Sequence, residues 1–95
     1  MTPEEKNEVL FGSLVMMFHA AGMQQMGKVK NPATDTLERN LEAAQMSIDI
    51  LDMLQAKTTG NLTDEEAKFL QNMLKELKLN FVDEAAKDKA PGTPS

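Results

Sequence analysis

The sequence predicts an all-α chain of three helices, spanning about residues 3–26, 41–57 and 64–86, that packs as a helical homodimer. Three observations carry that reading. Apolar residues recur at helical spacing in three separate segments. Between Ile48 and Val82 one amphipathic helix stops at Lys57-Thr58-Thr59-Gly60-Asn61 and another starts at Thr63-Asp64-Glu65-Glu66. The apolar faces of the first two segments are also too broad for a three-helix monomer, which needs a stripe only somewhat over about 100° wide on each helix.

The first helix is announced by Thr2 as N-cap, with Glu5 three positions on and Pro3 where its missing N–H is not needed. No charged residue occurs from Val9 to Gly27. At about 100° per residue Leu10, Leu14, Met17 and Ala21 form one stripe, and Phe11, Val15 and Phe18 form another beside it. Met16, Met23 and Met26 point in further directions, so this helix has almost no water-facing side.

A polar stretch follows, from Gly27 to Arg39, in which Asn31-Pro32 breaks helical continuity and predicts a connecting loop. Asn40 is the expected N-cap of the second helix, and Gly60 the residue able to turn left-handed beyond its end. Its residues Leu41, Ala44, Met46, Ile48, Ile50, Leu51, Met53 and Leu54 cover about 240° of the circumference. Glu42, Gln45, Asp49, Asp52 and Ala56 are left as a narrow polar strip.

The third helix opens on a capping box, Thr63 with Glu66, and carries acids in its first turn where the helix dipole favours them. Phe69, Leu70, Met73, Leu74, Leu77 and Phe81 lie within about 160°, the pattern of a helix packed on one side, and Leu79 and Val82 fall off that face. Residues 1–86 therefore read as one helical domain, and 87–95, rich in Lys, Asp, Pro and Gly, as a disordered tail.

Composition narrows the function. Fifteen acids against ten bases give a formal net charge of −5, and the four aromatics are all Phe with no basic interleaving, which excludes nucleic acid as the expected partner. Cysteine is absent, and the acidic start Met1-Thr2-Pro3-Glu4-Glu5 is unlike a secretory signal, so a cytoplasmic location is expected. The uncharged run of the first helix approaches a membrane span in length, but its Gln, His, Ser and Gly content makes insertion unlike what a span requires.

No catalytic, cofactor or metal site is expected. His19 is the sole imidazole and has no second His, Cys, Tyr or Ser partner at helical spacing, so it reads as a structural or interfacial residue, with two copies able to meet at a dimer axis. Asp49 and Asp52 share a helix face with Glu42 in a spacing that suits a divalent cation, yet a solvated strip accounts for them. The methionines of the first helix fit core or interface filling. The oligomer interface is expected to use Leu10, Phe11, Leu14, Val15, Met17 and Phe18 of the first helix with Met46, Ile50 and Met53 of the second.

Several residues together carry a family likeness. They are Asn40-Leu41-Glu42, Ile48-Asp49, Leu51 with Met53-Leu54, Lys57-Thr58-Thr59-Gly60-Asn61-Leu62-Thr63 with Glu66, Leu74 with Glu76-Leu77, and Phe81-Val82. From about Phe11 to Val82 the chain resembles the small bacterial proteins grouped as domain-of-unknown-function family 1844. Lys78 and Asn80 stand where that family often has Arg. The resemblance implies a bacterial source and a helical fold and supplies no site residues. The expected function is accordingly a non-enzymatic, self-associating interaction or accessory module without cofactor. The alternatives are an enzyme or ligand-binding site formed at the dimer interface, and a membrane accessory using the first helix.

Overall fold

The computed structural model describes residues 1–88, which form α1 (Pro3–Gln25), α2 (Leu41–Lys57) and α3 (Asp64–Asp88). The chain is all-α, as its periodicity predicts. Each helix begins where its local chemistry says it should. Thr2 Oγ1 accepts from Glu5 N at 3.1 Å while Glu5 Oε1 accepts from Thr2 N at 2.8 Å. Thr63 and Glu66 repeat the exchange at 3.1 and 2.9 Å, and Asn40 Oδ1 caps Ala43 N at 3.0 Å. These bonds satisfy backbone donors that the first helical turn leaves without an internal acceptor. Gly27 and Gly60 sit at φ 84° and 83°, the left-handed turns that let α1 and α2 end.

The helices run up, down and up. Asn40 N donates to Gln25 O at 2.6 Å, so the start of α2 lies beside the end of α1 and the two are antiparallel. Phe69 lies by Gly12 and Leu77 by Gly22, so α3 runs parallel to α1. Gly22 marks the closest approach. A Cβ there would stand 2.8 Å from Leu77 Cδ2 and 3.6 Å from Ser47 Cβ, so the missing side chain is what lets α3 and α2 meet on α1.

The buried core is Val15, Met26, Ala44, Ile48, Leu51, Leu70, Leu74 and Leu77, with Phe11, Phe18, Phe69 and Phe81 among the half-buried side chains around it. Fully burying one Leu or Val contributes about 1.5–3 kcal/mol, so this small set has to hold all three helices. A polar tie joins α1 to α2 within it: Ser47 Oγ and the Gln25 amide meet at 2.7 Å. With its nitrogen turned toward Ser47, that amide also reaches the carbonyls of Ala21 and Ala43 at 3.2 and 3.0 Å.

The α1–α2 connection is more ordered than a polar loop need be. Asn31 and Thr36 form an isolated antiparallel bridge, Asn31 Oδ1 accepts from Ala33 N at 2.9 Å, and Asp35 adopts φ 56°. Glu38 closes the turn by accepting from Asn31 and Thr34 at 3.0 Å each. The expected disordered tail falls on residues 89–95, outside the described residues, except that 87 and 88 continue α3.

Candidate interaction face

The polar contacts fix which side of each helix faces which neighbour. On α1, His19 and Gly12 face α3, whereas Gln25 faces α2. On α2, Asp52 faces α3 through Lys78 at 2.9 Å, whereas Ser47 faces α1. Continuing round each helix at about 100° per residue, Leu10, Leu14, Met17 and Ala21 come out on the side of α1 away from α3. Met46, Ile50 and Met53 come out on the side of α2 away from α3. The two stripes therefore adjoin, and they form the face of the bundle opposite α3.

That face is open. Met17 is 61% exposed and Met46 60%, with Leu10, Leu14 and Met53 also exposed and Ile50 half-buried. At its lower end a cleft of about 500 Å³ runs between Leu10 and Leu14 of α1 and Thr58, Asn61 and Leu62 beyond α2. Exposed methionines and leucines grouped on one face mark a surface that gains from being covered.

The structure divides the expected interface set. Val15 is a correction: it is 0% exposed and lies in the chain's own core, because its direction on α1 falls between α2 and α3. Phe11 and Phe18 are half-buried and pack against that core, which leaves them at the edge of the face. Met16 and Val9 are exposed on the outer side of α1 and were not in the expected set.

His19 lies on the α3 side of α1, away from this face. Its Nε2 lies 2.6 Å from Glu76 Oε1 of α3, with only 13% of its side chain exposed. Beside it Ala20, Met23, Val29 and Pro32 line a mostly apolar cleft of about 440 Å³. Asp49 and Asp52 do not act together: Asp49 accepts from Gln45 Nε2 at 2.9 Å, and Asp52 pairs with Lys78. Among the described residues no group of three His, Asp or Glu side chains is arranged to hold a metal ion, and no helix is long and apolar enough to cross a membrane.

One cluster was not foreseen. Glu84, 5% exposed, draws Lys28, Arg39 and Lys87 to its carboxylate at 3.0, 3.2 and 2.7 Å. Asp83 and Asp88 add bonds of 2.6 and 2.9 Å to Lys28 and Arg39. The hydrogen bonds from Lys87 and Lys28, and then Arg39, outweigh burial and hold the Glu84 carboxyl at about 2. The cluster straps the α1–α2 connection to the end of α3. No continuous sequence motif announces it, since every ion pair in it other than Lys87–Glu84 joins residues 45 or more positions apart along the chain.

The chain matches the family described as Domain of unknown function (DUF1844) over residues 8–83. It belongs to that family. The matched span runs from the second turn of α1 to the last turns of α3, so the DUF1844 unit is the whole three-helix arrangement. No curated protein and no solved structure matches the chain.

Proposed function

We propose that this DUF1844 protein is a non-enzymatic interaction module that associates with itself through the α1–α2 face. One observation carries the reading: the two helices whose apolar surface is broadest leave Leu10, Leu14, Met17, Met46 and Met53 together in water on the side opposite α3. A symmetric dimer covers that patch on both copies with a single interface. His19, Asp49 and Asp52 each engage a different partner, Glu76, Gln45 and Lys78 respectively.

Light scattering on the purified chain at micromolar concentration tests this. The expected mass is that of two chains, and a mass of one chain overturns the proposal. Met17→Glu alters only an exposed side chain, so it is expected to preserve the helical circular dichroism and return the mass to one chain.

A further inference from the structure

The exposed stripe of α2 carries its own register. Read along the helix it runs Glu42, Met46, Ile50, Met53 and Lys57, all within about 80° of the circumference. An acid stands at one end, a base at the other, and apolar side chains lie between. Glu42 and Lys57 are equally far from the Asp49–Ile50 midpoint, and so are Met46 and Met53. Neither charge has an ion-pair partner among the described residues, and both are exposed. Asp49 stands on the rim of the stripe, held by Gln45.

A stripe that is its own complement after end-over-end rotation fits a second copy of itself. We propose that two chains pack α2 against α2 in antiparallel register about a two-fold axis at the Asp49–Ile50 midpoint, so that Glu42 of one copy meets Lys57 of the partner subunit. Met46 then covers Met53 of the partner subunit, and the exposed α1 stripe flanks the seam. A parallel pairing would instead set like charges against each other at both ends and align the two helix dipoles unfavourably. This inference rests on self-association through the α1–α2 face and adds to it the position of the axis.

Charge exchange tests it. Glu42→Lys alone and Lys57→Glu alone each create two repulsive contacts per dimer, and each is expected to raise the dissociation constant roughly tenfold at low salt. Mixing the two variants is expected to give a heterodimer close to wild type in affinity, because both contacts then become attractive again. Each substitution also opposes its helix dipole, but that cost persists in the mixture, so rescue reports the contact itself. The effect should shrink as salt rises. Since the chain has no native cysteine, Glu42→Cys mixed with Lys57→Cys is expected to cross-link while neither does so alone, the like positions standing about 22 Å apart along the seam. A wild-type dimer whose variants keep their affinity and show no preference on mixing overturns the register and leaves self-association standing. Self-linking of Glu42→Cys overturns the antiparallel arrangement in the same way. A monomeric wild type overturns both proposals.

Discussion

Glu84 shows how one side chain can fix the position of a connection that has little apolar content of its own. A buried carboxylate is costly unless charges and hydrogen bonds surround it, and here three cations converge on it from the loop and from its own helix. Because its folded-state pKa of about 2 lies below the ordinary 4.5, it binds protons less readily when folded. The stability it confers is therefore complete above about pH 4.5 and is lost as pH falls toward 2. Glu84→Gln keeps the shape and removes the charge. Lys28 and Arg39 remain partly in water, so the expected loss at neutral pH is modest, about 1–2 kcal/mol. Urea unfolding at neutral pH and again near pH 2 checks this, with the two proteins expected to converge in acid because wild type alone loses the contribution. Sequence reading had no access to this residue's role. Its position near the end of α3 looks like that of any solvated acid, and the partners that bury it become neighbours only once the loop folds back.

At the scale of the helices, what was legible is what is local. Both capping boxes and the Asn40 cap join residues three positions apart, and Gly27 and Gly60 act through their own φ, so these features follow from the sequence before any packing is known. The faces were legible only in part. Periodicity showed that α1 is apolar nearly all round, but choosing which direction is core and which is free needs the neighbours. Val15, between α2 and α3, and Met17, on the far side of α1, are indistinguishable on a wheel that lacks them. The local chemistry makes its own prediction. Thr63→Ala removes an acceptor from the first turn of α3 and is expected to cost about 1 kcal/mol, which lowers the melting temperature by roughly 4–8 °C. Thr59→Ala is the control. Its hydroxyl only donates to the exposed Gln55 carbonyl at 2.9 Å, and the expected change stays within about 0.5 kcal/mol.

At the scale of the whole molecule, the three helices form, among the described residues, one core of eight buried hydrophobic side chains, while the α1–α2 face leaves five large apolar ones exposed. That distribution has a thermodynamic consequence. If folding and pairing are linked, the native state gains stability by mass action, and unfolding releases two chains from one particle. The midpoint of thermal unfolding then rises with protein concentration. A tenfold increase is worth about 1.4 kcal/mol per dimer, and against the unfolding entropy of two such chains this shifts the midpoint by about 3–4 °C. Calorimetry or circular dichroism over a hundredfold range of concentration is expected to show that slope for wild type. Met17→Glu, which spoils the face and spares the core, is expected to unfold at a lower temperature that does not move with concentration. Val15→Ala provides the contrast, because it takes methyl groups from the core and is expected to lower the midpoint at every concentration while keeping the slope. A wild-type midpoint independent of concentration would mean that the open face does not contribute to stability, and that the eight-residue core alone holds the fold.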